Sequence, residues 1–121
     1  MSVVTGTNWN AYDASTMTAR EIYGRTLAAL AEQDDRIVGI TADLEKTTAI
    51  KYFADMFPDR FYNVGIAEQN MFGIAAGLAK AGLIPFASTM AVFASLRAAE
   101  QVRTDIAYQN LPVKIIATHA G

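Results

Sequence analysis

Few side chains in this 121-residue sequence could take part in chemistry. There is no cysteine, which excludes a thiolate nucleophile, a disulfide and a cysteine-based metal site, and His119 is the only imidazole. The other candidates are the carboxyl groups of Glu68 and Asp43 and the guanidinium of Arg20. A carboxyl group can share a proton with a ligand, and a guanidinium can bind an anion. No metal site is predicted on this chain.

The hydrophobic pattern predicts that helices and strands alternate around these side chains. A capping-box pattern, Thr18 and Glu21, starts the first helix. Short connections between alternating elements favour an α/β fold, a three-layer sandwich with a mostly parallel sheet between helices. The predicted helices are 18–33, 47–57, 67–81 and 91–109, and the predicted strands are 36–41, 60–64, 83–88 and 113–118.

Local signals make these predictions more specific. Thr47 or Thr48 is expected to cap the second helix, and Gly82 is expected to end the third. The third helix is rich in alanine and glycine, which indicates close packing against another element. The fourth helix is predicted to be amphipathic. Its apolar face holds Phe93, Leu96, Val102 and Ile106, and its polar face includes Arg97.

Composition excludes several classes of protein. The sequence is 52% apolar and 18% charged with a formal net charge of −2, which indicates one globular domain and no basic surface for nucleic acid. No apolar run reaches the roughly 20 residues of a membrane span, and no export signal precedes the domain, so a cytoplasmic location is expected. We expect a flexible leader over 1–14 and a domain over 15–121. This domain is expected to be incomplete at its C-terminus, because no helix follows the last strand.

Ligands of open parallel sheets bind beyond the carboxyl ends of the strands. The residues at those positions are Asp43, the segment 65–69, Thr89 and His119. Spacing alone leaves two interpretations of Glu68: a ligand-binding carboxyl group, or an acidic residue that only complements the helix dipole. For Asp43 the alternatives are a ligand contact and a turn cap, and local signals favour the turn cap. No glycine-rich dinucleotide or phosphate-binding loop is present.

Four motifs in order carry a more specific signal. They are 41–44 (Thr-Ala-Asp-Leu), 63–71 (Asn-Val-Gly-Ile-Ala-Glu-Gln-Asn-Met), 84–90 (Ile-Pro-Phe-Ala-Ser-Thr-Met) and 111–121 (Leu-Pro-Val-Lys-Ile-Ile-Ala-Thr-His-Ala-Gly). Over residues 16–121 the sequence resembles the pyrimidine-binding domain of transketolases, above all the C-terminal subunit of split, two-chain transketolases. The resemblance implies an enzyme of carbohydrate metabolism, in the pentose phosphate pathway, that transfers a two-carbon ketol unit between phosphorylated sugars through thiamin diphosphate.

The resemblance also implies roles at the cofactor. Glu68 matches the glutamate that hydrogen-bonds N1′ of the aminopyrimidine and so favours the imino form that removes the proton from C2. Phe93 matches an aromatic residue that stacks on the pyrimidine. Met90 and Leu96 lie where many one-chain transketolases place further aromatic residues, so the pocket would be more aliphatic. Asp43 matches an aspartate near the thiazolium and the donor sugar.

Further matches concern the substrates and a partner. His119 matches a histidine that contacts sugar hydroxyls at the reaction centre, and Arg20, with Thr47 assisting, matches an arginine that binds the substrate phosphate. The Gly-Asp-Gly and Asn pattern that holds Mg²⁺ and the diphosphate is absent from this sequence. The resemblance therefore implies a separate diphosphate-binding transketolase subunit that carries the Mg²⁺ ligands, a hetero-oligomer with a dimeric core, and no turnover by this chain alone.

Three alternatives remain open, and two of them are enzymes. Deoxyxylulose phosphate synthase shares the Gly-Ile-Ala-Glu-Gln and Leu-Pro-Val stretches, but it tends to carry an arginine where this sequence has His119. The fit to a pyruvate dehydrogenase β subunit is weaker, because the Glu-Gln-Asn-Met run suits it poorly. The other alternative is a non-catalytic binding module of the same fold that pairs with an enzyme subunit.

Overall fold

Four helical segments alternate with four strands in the computed structural model, which describes residues 17–121. The predicted leader, 1–14, lies outside the described residues. The regular helices are α1 (Ala19–Ala31), α2 (Lys51–Met56) and α3 (Glu68–Lys80), and the strands are β1 (Ile37–Thr41), β2 (Phe61–Asn63), β3 (Ile84–Met90) and β4 (Lys114–Thr118). A 3-10 turn, Pro58–Arg60, leads into β2.

The sheet has the order β2-β1-β3-β4, and all of its strand pairs are parallel. Gly39 of β1 lies opposite Phe61 of β2 and Phe86 of β3, while Ser88 of β3 lies opposite Ile116 of β4. The predicted α/β sandwich is therefore confirmed, with an entirely parallel sheet over the described residues. Parallel strands bring their carboxyl ends to one edge, and the residues that follow the four strands meet there.

Two separate cores cover the two faces of this sheet. On the first, here called the aromatic face, α1 and α2 pack large side chains against the sheet; on the second, the alanine face, α3 and the helical segment before β4 pack mainly through alanine. The aromatic face includes Tyr23, Leu27, Ile50, Phe53, Phe57, Phe61 and Phe86. The alanine face includes Ala42, Met71, Phe72, Ala75, Ala76, Ala87, Ala94, Ala98 and Ile106. All five residues of β1 are buried, because this strand lies between the two cores.

The start of α1 follows from the capping box that the sequence contains. The Thr18 hydroxyl accepts a hydrogen bond from the Glu21 amide at 3.3 Å, and the Glu21 carboxylate accepts one from the Thr18 amide at 2.9 Å. This prediction is confirmed, although α1 ends at Ala31 rather than at Gln33. Along α1, Gly24 packs so closely on the chain near Ala49 that a Cβ atom would lie 2.1 Å from the Ala49 carbonyl oxygen.

The predicted cap of the second helix is wrong. Helix α2 begins at Lys51, its N-cap residue is Ile50, and no side chain caps it. The Thr48 hydroxyl instead donates to the Leu44 carbonyl at 2.8 Å, and the Thr47 carbonyl accepts a hydrogen bond from Arg20. The segment before α2 therefore forms turns of its own, in which threonine hydroxyls bond locally as they often do outside helices.

The end of α3 matches the sequence prediction. Gly82 has φ +96°, its amide donates to the Ala79 carbonyl at 3.0 Å, and the Leu83 amide donates to the Leu78 carbonyl at 3.1 Å. These two hydrogen bonds form a Schellman motif, which requires a left-handed residue after the helix. The expected close packing of α3 holds for its buried alanines but not for Gly77, where a Cβ atom would meet nothing within 4 Å.

The fourth helical segment is irregular, contrary to the single amphipathic helix that was predicted. It consists of a π-helical turn (Phe93–Arg97), a short helix α4 (Ala99–Gln101) and a second π-helical turn (Val102–Ala107). A π turn advances less rotation per residue than an α-helix, so the side chains shift in phase. Leu96, predicted to be core, is 76% exposed, while Arg97, predicted to be solvated, turns towards α3.

Candidate functional site

Glu68 is the first residue of α3, and its side chain is only 2% exposed. It follows β2 by five residues and so lies at the carboxyl edge of the sheet. The positive end of the helix dipole favours a carboxylate at this position. Burial of a charge is costly unless a partner compensates for it, so the surroundings of Glu68 decide what the group can do.

That partner is Arg97, which sequence reasoning placed on the solvated face of a helix. The Arg97 Nη1 atom donates to Glu68 Oε2 at 2.9 Å. The same guanidinium lies over the ring of Phe93, 4.0 Å from the ring centre. The Gln69 side chain donates to the Arg97 carbonyl at 3.0 Å, which ties the π-helical turn to the start of α3. The structure therefore brings together Glu68 and Phe93, two of the predicted site residues, with Arg97 between them.

A surface cavity of about 390 Å³ opens beside this cluster. Its lining comprises Ile66, Ala67, Glu68, Gln69, Asn70 and Arg97. Met90 ends β3 and is half-buried, whereas Leu96 projects outward from the π-helical turn. Ile66, Val92 and Leu96 are large apolar residues of this neighbourhood that are 77%, 50% and 76% exposed.

The loops after β1 and β2 are organised by one side chain, Asn63. Its Oδ1 atom accepts hydrogen bonds from the amide of Asp43 at 3.0 Å and from the amide of Gly65 at 3.1 Å. Asp43 is exposed and has φ +60°, a left-handed conformation in which aspartate is one of the less disfavoured residues. Sequence reasoning missed Asn63, although an asparagine at the end of a strand is a common signal of such a turn.

Arg20, Thr47 and His119 form a second group, on the side of the aromatic face. Arg20 Nη1 donates to the Thr47 carbonyl at 2.9 Å, so this guanidinium joins the start of α1 to the loop after β1. Arg20 and His119 line one cavity of about 310 Å³, together with Tyr23. His119 follows β4 with φ +60°, and its Nδ1 atom lies 2.8 Å from the Thr118 hydroxyl. Two of the predicted substrate residues, Arg20 and His119, thus share a cavity that the Glu68 cluster does not line, and Thr47 joins them only through its hydrogen bond with Arg20.

Tyr23 connects this second cavity to the interior of the sheet. Its hydroxyl shares a hydrogen bond with the Ser88 hydroxyl on β3, and burial raises the pKa of the Tyr23 hydroxyl well above its ordinary value. The Ser88 carbonyl in turn accepts a hydrogen bond from the Thr41 hydroxyl at 2.8 Å. Tyr23 is therefore a neutral, positioned hydroxyl at this wall near neutral pH.

Two further properties concern the described residues as a whole. Across residues 17–121, no group of three or more histidine, aspartate or glutamate side chains is arranged to hold a metal ion. In the same part of the chain, no helix is both long and apolar enough to cross a membrane.

The arrangement offers two kinds of chemistry at one edge of the sheet. At the Glu68 cluster, a buried carboxylate and an aromatic ring already bind a flat, nitrogen-bearing group, the guanidinium of Arg97. A heteroaromatic ring with a protonated nitrogen has the same combination of a flat face and an N–H donor. At the second cavity, a guanidinium and an imidazole lie on one wall, which suits an anionic, hydroxylated ligand.

Comparisons with known proteins agree with this geometry. The sequence profile of the family described as "Transketolase, pyrimidine binding domain" matches residues 15–121. A Methanocaldococcus jannaschii protein provisionally named a transketolase C-terminal section is 52% identical over 102 residues, which are 84% of this chain and 32% of that protein. A 6-deoxy-6-sulfo-D-fructose transketolase subunit of Clostridium sp. (strain MSTE9) is 43% identical over 102 residues, again 84% of this chain and 32% of that protein.

Solved structures extend the match to three dimensions. A split-gene transketolase, described as an inactive β4 tetramer, superposes with a TM-score of 0.76 at 55% identity, over 83% of this chain and 33% of that chain. Transketolase from Campylobacter jejuni superposes with a TM-score of 0.74 at 27% identity, over 83% of this chain and 16% of that chain. The chain spans about a third of the length of the split-type relatives. By sequence profile and by structure, this chain belongs to the transketolase pyrimidine-binding domain family.

Proposed function

We propose that this chain supplies the pyrimidine-binding half of a thiamin diphosphate site in a two-chain ketol transferase. The observation that carries the proposal is the buried carboxyl group of Glu68 at the start of α3, beside the ring of Phe93, in a chain of this family. In the proposed role, Glu68 holds the proton that is shared with N1′ of the aminopyrimidine. Thiamin diphosphate supplies, when bound, the nucleophilic carbon that a ketol transfer needs.

The residues of the Glu68 cluster fit such a group. The cluster already satisfies a flat nitrogen donor, because Arg97 both stacks on Phe93 and donates to Glu68. Phe93 would stack on the pyrimidine, with Met90 and Leu96 as further apolar contacts and Asp43 towards the thiazolium. An apolar surround excludes water and strengthens a hydrogen bond to the carboxyl group, so burial of Glu68 serves this role.

A partner chain completes the proposed site. It would carry the diphosphate-binding residues and the Mg²⁺ ligands, in a hetero-oligomer with a dimeric core. Two observations support it: a solved relative is a split-gene transketolase, and three large apolar side chains around Glu68 and Phe93 are exposed. Ile66, Val92 and Leu96 are exposed apolar side chains of the kind that a protein partner covers. Until it binds that partner, the chain is expected to have no transferase activity.

The second cavity is the proposed site of the sugar substrates. Arg20 would bind a substrate phosphate, and its hydrogen bond to the Thr47 carbonyl holds the guanidinium at the wall of the cavity. His119 would contact sugar hydroxyls from the end of β4. From the resemblance to transketolases and from the guanidinium of Arg20, we propose a ketose phosphate donor and an aldose phosphate acceptor. The pentose phosphate pathway and a cytoplasmic location stay predictions.

A deoxyxylulose phosphate synthase is the second candidate. The synthase of Halothermothrix orenii is 42% identical over 107 residues, which are 88% of this chain and 17% of that protein. The difference from the transketolase relatives, at 52% and 43%, is modest. His119 favours the transketolase, because an imidazole suits a sugar hydroxyl whereas the synthase motif tends to place an arginine there. Activity with pyruvate and an aldose phosphate, in the absence of any ketose donor, would identify the synthase instead.

The test of the proposal is Glu68→Gln in the complex reconstituted from this chain and its diphosphate-binding subunit. We expect ketol transfer to fall roughly 100-fold or more, since proton sharing by a positioned carboxyl group contributes on that scale. Size-exclusion chromatography should show the complex unchanged. Glu100→Gln is the matched control: Glu100 lies on the surface in an ion pair with Arg103, and its loss should leave the rate unchanged.

The outcomes separate the candidates. An intact Glu68→Gln complex with an undiminished rate would contradict the catalytic role and favour a non-catalytic binding module. Robust transfer by this chain without any partner would contradict the two-chain proposal.

A further inference from the structure

The guanidinium of Arg97 makes two contacts that the proposed cofactor also requires. It donates to the buried Glu68 carboxylate at 2.9 Å, and it covers the Phe93 ring at 4.0 Å from the ring centre. A pyrimidine that hydrogen-bonds Glu68 and stacks on Phe93 would need the same carboxylate and the same aromatic ring. The two groups are therefore alternatives in the same small volume.

The cavity beside the cluster supports this reading. Its lining includes Glu68 and Arg97 but does not include Phe93. Arg97 therefore lies beside Glu68 at the wall of this cavity, and its guanidinium covers one face of the Phe93 ring. A flat ligand can contact Glu68 and this face of Phe93 together only after the Arg97 side chain has moved.

We propose that Arg97 is a displaceable stand-in for the aminopyrimidine: it neutralises the buried Glu68 and covers Phe93 while the site is empty, and it leaves both when the cofactor binds. This inference rests on the proposed function. Its benefit in the empty chain is electrostatic, since a carboxylate that is 2% exposed would otherwise lack its cationic partner. Its cost falls on the cofactor, which must displace an ion pair and a stacking contact.

The local structure permits this movement of the side chain alone. The Arg97 side chain is 46% exposed, whereas Glu68 is nearly inaccessible, so the arginine is the partner that can turn into solvent. The Arg97 carbonyl is held by the Gln69 side chain at 3.0 Å, which keeps the backbone of the π-helical turn beside α3. A long side chain on an anchored backbone can exchange places with a ligand and leave Phe93 in position.

The test compares Arg97→Met with the unaltered chain in the complex with its diphosphate-binding subunit. Removal of a competing conformation raises apparent affinity by the inverse of the fraction that is open. We expect Arg97→Met to lower the dissociation constant of thiamin diphosphate roughly 5- to 100-fold, the usual span of such coupling, and to raise the association rate constant in the same direction. Circular dichroism and stopped-flow fluorescence measure the two quantities.

The same variant should lower the melting temperature of the cofactor-free complex, because Glu68 loses its charge partner. Loss of stability combined with gain of affinity is the signature of a stand-in, since a purely structural arginine would lose both. An unchanged or larger dissociation constant would overturn the inference. Arg97→Gln guards against poor folding, because its amide can still donate to Glu68 without a charge. Since that amide still competes for the carboxylate, the gain of affinity is expected to be smaller than in Arg97→Met.

Two controls isolate the effect. Arg103→Met removes a cation from the same helical segment whose partner, Glu100, is on the surface, and should leave cofactor affinity unchanged. Inorganic pyrophosphate with Mg²⁺ does not reach Glu68, so Arg97→Met should not alter its binding. If the unaltered complex binds pyrophosphate but not thiamin diphosphate, the proposed function fails and this inference with it. Normal cofactor binding with no gain in Arg97→Met overturns only the inference.

Discussion

The aromatic face and the alanine face of the sheet differ in how closely their helices approach. On the aromatic face, a Cβ atom added to Gly24 would lie 2.1 Å from the Ala49 carbonyl oxygen, and one added to Gly39 would lie 2.8 Å from the Phe53 ring. On the alanine face, a Cβ atom at Gly73 of α3 would come no closer than 3.9 Å to a carboxylate oxygen of Asp105, in the π-helical turn that follows α4. The alanine face also includes an irregular helical segment, in which the short helix α4 lies between two π-helical turns.

This difference indicates which face of the sheet can accommodate a ligand. The aromatic face is closed by large side chains and by backbone contacts, so it fixes the strands. The alanine face uses small side chains and irregular turns, and it carries Glu68, Phe93 and Arg97. Elements that must exchange contacts on binding belong to the less constrained part of a structure. The candidate cofactor site lies on the face that can rearrange at the lower cost.

Among the variants that test this difference between the two faces, Gly24→Ala is expected to have the largest effect on stability. The new methyl group would collide with a backbone oxygen, so α1 must move away from the chain near Ala49. Overpacking of this kind costs about 3 kcal/mol, and the better helix propensity of alanine returns about 1 kcal/mol. We expect a net loss of about 2 kcal/mol in the free energy of unfolding, measured by urea titration of the chain. An unchanged urea midpoint would show that the aromatic face is not closed as described.

The matched test on α3, the regular helix of the alanine face, combines Gly77→Ala on its exposed side with Gly73→Ala. The added methyl group enters open space on an exposed part of α3, so only helix propensity should act. Alanine is better than glycine by about 1 kcal/mol in a helix interior, and we expect a gain of up to that amount in the free energy of unfolding of the chain. Gly73→Ala should change stability in the same direction, since its nearest atom is an Asp105 carboxylate oxygen at 3.9 Å. A loss of stability in Gly73→Ala, with the expected gain in Gly77→Ala, would contradict the open character of the alanine face.

Much of the fold could be predicted from local sequence patterns. The capping box at Thr18, the glycine after α3 and the alternation of elements depend on residues close in sequence, and all three are confirmed. The failed cap at Thr47 or Thr48 shows the limit of such signals. A threonine hydroxyl there competes for nearby carbonyl groups, and the sequence does not reveal which bond it makes.

The candidate site could be predicted from the sequence only in part. Glu68 and Phe93 were identified from motif resemblance, and the structure brings them together. Arg97 was missed, because its partner is 29 residues away and because its direction depends on a π-helical turn. Helical periodicity assumes a constant rotation per residue, so a pattern read at 3.6 residues per turn assigns Arg97 and Leu96 to the wrong surroundings.

The smallest effect concerns acid stability at the turn between α1 and β1, on the aromatic face. The guanidinium and the amide of Arg36 bind the Asp34 carboxylate and lower its pKa from 3.8 to about 2. The ionised group is therefore favoured in the folded chain. Its contribution to stability is complete above pH 4 and is lost as the pH falls through about 2.

We expect the chain to unfold slightly more easily after Asp34→Asn at pH 6, with the urea midpoints of the variant and the unaltered chain converging between pH 4 and pH 2. Glu100, whose pKa is lowered by Thr104 and Arg103 on the alanine-face segment, provides the comparison through Glu100→Gln. A larger effect of Glu100→Gln than of Asp34→Asn on the acid dependence would contradict this expectation. The stronger stabilisation by charge would then lie on the alanine face, which is the face that we describe as able to rearrange.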